Sequence, residues 1–233
     1  MSLAIRSTQP EQMDTDCVDF DDYARCLRDL ARVNVVTLTH RSTLAWLARE
    51  TRGLASFSLL DVACGFGDLL RRVRRWSTHH GIDARLDGID LNPWSMRAAS
   101  AVTPTAAAIT WRTGDVFQHP LRYDFVVSSQ FTHHLADDEI VRFIHWMEAH
   151  VTRGWFISDL HRHFVAYHGF GVLARAAGWH HFVRSDGRIS IARSFVPADW
   201  RRLIAAAGLS RDDVQIRRRM PFRLCVSRRC NLP

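Results

Sequence analysis

Apolar and polar residues alternate along this chain with two different periods. In the first fifty residues the apolar positions fall three and four apart: Tyr23, Cys26, Leu27 and Leu30 form one stripe, and Leu44, Leu47 and Ala48 form another behind Ser42, a residue suited to cap a helix. From Phe57 onward short apolar runs alternate with amphipathic segments. Runs at 57–62, 85–90, 109–116, 123–130 and 154–160 read as strands, each bounded by glycine, proline or acidic residues. Asp137, Asp138 and Glu139 suit the positive end of a helix whose buried stripe is Ile140, Phe143, Ile144, Met147 and Val151. Pro197 opens a helix that buries Trp200, Leu203 and Ile204 and stops at Gly208. The last two strands, 214–220 and 222–227, meet at Pro221, and so short a connection requires them to be antiparallel. The pattern predicts an α/β chain, a mostly parallel sheet with a C-terminal antiparallel hairpin and helices on both faces.

The organisation follows from the same pattern. Residues 1–20 are polar and acidic with few apolar anchors and read as a flexible tail. Residues 21–55 form a helical cap, within which Tyr23 and Asn34 either face a ligand or pack on the sheet. Residues 56–233 form the main domain. Within it, a helical lid is expected at about 161–185, where Tyr167, His168, Phe170, Trp179, His180 and His181 stand among small residues. These aromatics either wall a pocket for a ring or alkyl chain or form the buried face of a helix.

Charge and cysteines narrow the class. The formal charge is +7, but the arginines are scattered as Arg71-Arg72, Arg74-Arg75, Arg201-Arg202, Arg217-Arg218-Arg219 and Arg228-Arg229 over different elements. That is a solvated basic surface rather than a nucleic-acid groove. Five cysteines, Cys17, Cys26, Cys64, Cys225 and Cys230, show neither a paired metal spacing nor an even count, so no disulfide framework and no metal site are expected. His168, His180 and His181 lack a carboxylate or cysteine pattern that would make them a metal set. No apolar run reaches membrane-spanning length and no leader pattern opens the chain, so a cytoplasmic protein is expected.

The chemistry concentrates where strands end. The run Leu59-Leu60-Asp61-Val62-Ala63-Cys64-Gly65-Phe66-Gly67-Asp68 is a strand closing on a turn whose glycines let the main chain approach a ligand. A second strand ends in Asp90, about twenty residues on, where a carboxylate binds ribose hydroxyls. A third ends in Asp115. A nicotinamide dinucleotide fits poorly: Leu70 stands where a small residue is needed for helix packing, and Asp68 places an anion where a pyrophosphate would sit. A cationic adenosyl ligand suits these carboxylates better.

Together the four elements through 123–130 resemble the class I S-adenosylmethionine-dependent methyltransferases, over about residues 57–233. The resemblance implies a Rossmann-like fold with a seven-stranded sheet and S-adenosylmethionine as cofactor. It also implies that Asp61, Ala63, Gly65 and Gly67 hold the methionine end, with Ala63 replacing the usual first glycine. Asp90, with Leu91 beside it, implies the ribose contact; Asp115 and Val116 imply the adenine contact; Gln130 and Phe131 imply the lining of the transfer centre. Two purely structural roles compete: Asp61 orienting loop amides and Asp115 capping the following turn.

Catalytic candidates are the histidines past the fourth and fifth strands, because ligands bind beyond the carboxyl ends of parallel strands. His133 and His161 are the expected bases, with Asp159 beside His161 if the strand continues, and with Arg162 as a partner for an acidic substrate group. The runs Asp159-Leu160-His161-Arg162, Ser185-Asp186-Gly187-Arg188-Ile189-Ser190 and Arg193-Ser194-Phe195 are similar to a bacterial subgroup associated with type III polyketide synthases and phenolic or quinone-like metabolites. That similarity implies O-methylation of a small aromatic or lipid-like acceptor, and a homodimer is compatible with it. The alternatives are C-methylation of a ring, an RNA methyltransferase, and a non-catalytic adenosyl-ligand-binding protein.

Overall fold

The computed structural model describes residues 3–15 and 19–230. Cys17, part of the cysteine reading, lies outside the described residues. The strands are β1 (Ser56–Val62), β2 (Asp83–Asp90), β3 (Ile109–Thr113), β4 (Tyr123–Ser129), β5 (Val151–Leu160), β6 (Val214–Arg219) and β7 (Arg223–Arg229). They form one sheet in the order β3-β2-β1-β4-β5-β7-β6, in which β7 alone is antiparallel to its neighbours. The predicted α/β fold and its C-terminal hairpin are present.

Alternation along the strands decides what each face buries. Leu60, Val126, Trp155, Ile157, Leu224 and Val226 pack on one face against Ile140, Phe143 and Ile144 of α6 (Asp137–His150) and Trp200 and Leu203 of α9 (Pro197–Ala206). Leu59, Phe125, Val127 and Phe156 pack on the other against Trp46 and Leu47 of α3 (Arg41–Glu50) and Leu69, Leu70 and Val73 of α4 (Asp68–His79). Burying a side chain of this size stabilises by about 1.5–3 kcal/mol, so these two clusters hold the sheet in place. The chain order reverses between β1 and β4, which opens a crevice at their carboxyl ends.

After the short α1 (Gln12–Thr15), the cap consists of α2 (Phe20–Val36) and α3, and α5 (Pro93–Ala101) follows β2. Asp19 caps α2 by accepting the Asp22 N–H, whereas α3 begins at Arg41 behind His40, one residue before the cap expected at Ser42. The lid comprises α7 (Phe164–Ala176) and α8 (His181–Arg193), so it ends later than the 161–185 expected. Trp179, Phe182 and Val183 join Cys26 and Val33 of α2 in a buried cluster, so the aromatic segment is partly core.

Residues 3–15 depart from the flexible tail read over 1–20, of which residues 1–2 and 16–18 lie outside the described residues. Arg6 donates to the Arg193 and Leu135 carbonyls and pairs with Asp137, and its guanidinium lies 4.2 Å over the Phe195 ring. Glu11 is buried and accepts from Ser190, while Asp186 accepts the Gln12 and Met13 N–H groups. Few apolar residues anchor this strap, but its hydrogen bonds tie it to α8. No helix among the described residues is long and apolar enough to cross a membrane.

Candidate active site

The crevice at the carboxyl ends of β1, β2 and β4 widens beneath the cap, lid and strap into a cavity of about 1080 Å³. Its wall includes Asp61, Ala63, Gly65, Asp90, Leu91, Asp115, Val116, Gln130, Phe131, His133 and His161 of the expected residues. Ten of the residues between Asp61 and Phe131 were tied to the cofactor by resemblance, and of these only Gly67 lies off the wall. Gly67 adopts a left-handed φ of 71° at the start of α4, and a Cβ there would lie 2.2 Å from the Trp111 ring. The Trp111 ring therefore leaves no room for a side chain at this position.

The β1 turn and the end of β2 are fastened to each other. Asp90 accepts the Gly65 N–H at 2.9 Å and the Asn92 N–H at 3.0 Å. Burial raises its pKa in spite of those bonds. Asp61 is 2% exposed, and its carboxylate takes no hydrogen bond among the described residues. Burial, and then the charges of Asp68 and Asp90, push its pKa well up. Asp68 accepts from His40 at 2.6 Å and Asn34 at 3.1 Å; burial pushes its carboxyl up, but those partners bring it below the usual range.

Asp115 lines the cavity and also accepts the Phe117 N–H at 2.9 Å, so it does cap the following turn. Leu91 is 74% exposed at the mouth. The undersatisfied Asp61, with Asp68 and Asp90 nearby, fits the ammonium and sulfonium of S-adenosylmethionine by charge. Asp90 can take the ribose, and Asp115 and Val116 the base.

The histidines are arranged differently from the sequence expectation. Asp159 turns to His133 rather than His161: it accepts from His133 Nδ1 at 2.7 Å, from the His133 N–H at 3.0 Å and from Thr132 Oγ1 at 2.5 Å. β5 runs on to Leu160 and places His161 in a bridge to Phe195, so the side chain of Asp159 meets the helical turn after β4. Asp159 itself is off the cavity wall. Glu11 Oε1 lies 3.4 Å from His133 Nε2. Burial opposes charging His133, but Asp159 and Glu11 together raise its pKa to about 9. An imidazole held as a cation between two carboxylates is a poor proton acceptor.

His161, by contrast, is 8% exposed in the cavity wall, and its ring nitrogens take no hydrogen bond among the described residues. Burial, with Arg218, His163 and Arg162 nearby, lowers its pKa and so favours the neutral ring. Arg162 is not available to a substrate. It is buried, donates to the Leu3 and Ser194 carbonyls and pairs with Asp199 at 3.1 Å. His168 does not join His180 and His181; those two gather with Asp22 instead.

Sequence reading did not identify Glu11, His40 or Arg223 as wall residues. Glu11 and His40 carry no local signal, because long-range folding alone brings them to the crevice. Arg223 had one: an arginine beside the apolar run Leu224-Cys225-Val226 of a strand central enough to be buried on both faces.

Residues 59–154 match the model of a methyltransferase domain. No curated protein matches the chain in sequence. Among solved structures, the fold is similar to that of magnesium protoporphyrin IX methyltransferase from Synechocystis PCC 6803 with bound S-adenosylmethionine. That likeness has 17% identity, a TM-score of 0.61, and covers 97% of this chain and 100% of the other. Human N-acetylserotonin methyltransferase in complex with S-adenosylmethionine is similar at 15% identity and a TM-score of 0.65, over 91% of this chain and 56% of that one. A plantazolicin methyltransferase in complex with a desmethyl analogue and S-adenosylhomocysteine is similar at 12% identity and a TM-score of 0.63, over 90% and 96%. At these identities the structures speak to the fold. The matched domain, joined to the acidic wall at the ends of β1 and β2, makes the chain an S-adenosylmethionine-dependent methyltransferase.

Proposed function

We propose that the chain methylates an oxygen of a small aromatic acceptor, of phenolic, polyketide or quinone-like type, with His161 as general base. The observation that carries this reading is the neutral, unbonded imidazole of His161 in the wall of a large cavity. S-adenosylmethionine, when bound, supplies a methyl group on a positively charged sulfur. The chain's own residues then have two tasks.

The first is positioning. Gln130 is held in a left-handed conformation (φ 56°), and its side chain is fixed at both ends, donating to Asn34 at 2.8 Å and accepting from Arg223 at 2.9 Å. With Phe131 it forms a rigid floor past β4, and alignment of reacting groups of this kind is worth about 7–11 kcal/mol. The second is proton removal. A phenol of pKa about 10 is mostly protonated at pH 7, a deficit of roughly 4 kcal/mol. His161 takes that proton as the oxygen bonds to carbon. Apolar residues of the lid, Val165, Ala166, Phe170 and Leu173, supply the wall an aromatic ring would meet.

Single-turnover transfer from labelled S-adenosylmethionine to a panel of phenols tests this reading. His161→Ala should slow transfer by about 10²- to 10⁴-fold with S-adenosylhomocysteine binding retained. His133→Asn should mainly lower stability. Unimpaired transfer in the His161 variant would remove it as the base.

A further inference from the structure

We propose that Arg223 is the anchor for an ionised carboxylate on the acceptor, so that the acceptor is an aromatic acid seated carboxylate-first on β7. The proposal rests on reading the cavity as the methyl-transfer site and narrows its substrate class. Arg223 is 3% exposed and lines the cavity. Its Nη1 donates to Gln130 Oε1 at 2.9 Å, and its Nη2 donates to Thr37 Oγ1 at 3.0 Å and Thr39 Oγ1 at 2.5 Å. Every one of these partners is neutral. Nε is buried with no acceptor.

No carboxylate among the described residues forms an ion pair with Arg223. Asp159 acts on it only through space, and the Asp159 oxygens are taken by Thr132, His133 and Leu160. A buried charge without a counter-ion costs several kcal/mol, and three neutral acceptors offset only part of that. If the side chain served only to tie Gln130 to Thr37 and Thr39, a neutral amide would do so without that cost. Burial accordingly pushes the guanidinium down to about 10.

The cavity's charges are placed unevenly. Asp61, Asp68, Asp90 and Asp115 crowd the ends of β1 to β3, where the cationic cofactor belongs, while Glu11, Glu139, Arg142 and Asp186 line it from the strap, α6 and α8. Arg223 sits beyond Gln130 on the opposite side, paired in register with Leu160 and next to Phe222. Phe222 has a left-handed φ of 45°, its carbonyl accepts the His161 N–H at 2.9 Å, and its ring stacks on His163. Strained residues of this kind gather at ligand sites. Arg223, Phe222 and His161 line the same cavity, a set that suits a planar acid: carboxylate to Arg223, ring along Phe222, hydroxyl toward His161. The sequence suggested Arg162 for this task, and the structure moves it to Arg223.

The test is calorimetric binding to the protein saturated with S-adenosylhomocysteine, using 4-hydroxybenzoate, 4-hydroxyphenylacetate and 4-hydroxycinnamate, each beside its amide. At least one acid should bind about tenfold or more tighter than its amide. Arg223→Gln should erase that preference and Arg223→Lys should keep part of it, with S-adenosylhomocysteine binding retained in both. No acid preferred over its amide, or a preference that survives in Arg223→Gln, overturns the assignment. So does loss of S-adenosylhomocysteine binding in both variants, which would make Arg223 a structural tie. Failure of the wild type to bind S-adenosylhomocysteine would instead strike the methyl-transfer reading itself.

Discussion

Ala63 shows how one residue can keep a ligand turn at a cost. It stands where the resembled family has its first glycine, and its φ is 57°, in the left-handed region. A Cβ in that region costs about 1–2 kcal/mol, while glycine would add about 0.5–1 kcal/mol of chain entropy to the unfolded state. Ala63→Gly should therefore be neutral to stabilising by up to about 1.5 kcal/mol, which for a chain of this size raises Tm by no more than about 3–6 °C. A melting curve decides it, and a clear fall in Tm would show that the Ala63 methyl makes contacts outweighing its strain. Gln130 and Phe222 carry the same left-handed geometry in the same cavity wall, which places backbone strain at the end of β1, past β4 and before β7.

At the scale of elements, the strap, the lid and the turn after β4 act as one fastening. Arg193 of α8 donates to the His133 and His134 carbonyls at 3.0 and 2.9 Å, and Arg6 of the strap reaches the Arg193 and Leu135 carbonyls. Arg6→Ala removes an ion pair and two charge-assisted bonds at once. It should cost about 2–4 kcal/mol in urea unfolding and expose residues 3–13 to limited proteolysis. Unchanged protease resistance would mean that the remaining ties, those of Glu11 and Asp186 and the bonds from Arg162 to the Leu3 carbonyl and from Arg193 to the Gln9 carbonyl, hold the strap without Arg6. The strap was not legible in the sequence because it is held by polar bonds to residues more than a hundred positions away, while apolar periodicity reports only burial of apolar faces. Strands, their order of appearance and the carboxylates ending β1, β2 and β3 were legible, since each is a local pattern. The pairing of Asp159 was not: alternation along β5 set its face, but the turn at Thr132 and His133 that meets it lies on another strand's end.

Across the whole molecule, that pairing joins the carboxyl ends of β4 and β5 under the strap, and it ties stability to pH. Asp159 is fully buried with its pKa held at about 2: burial works against ionisation, and the His133 charge and hydrogen bond more than offset it. His133, raised to about 9 against 6.5, contributes stability that is fully present below about pH 6.5 and is lost as pH rises through about 9. Asp159, depressed from 3.8, contributes stability present above about pH 4 and lost as pH falls toward 2. The stabilisation is therefore full between about pH 4 and 6.5, while the folded pair itself stays charged until pH approaches about 9. Above that window the protein should weaken by an amount on the order of 3 kcal/mol by pH 9, at 1.36 kcal/mol per pKa unit. Above pH 9 the neutral ring leaves the buried Glu11 and Asp159 carboxylates without their cation. Urea unfolding of the wild type at steps from pH 5 to 9.5 measures this directly, and His133→Asn should flatten the alkaline limb while lowering stability at pH 6. A wild-type curve that is level from pH 6.5 to 9 would show that His133 is neutral in the folded protein, and would return it to the list of candidate bases beside His161.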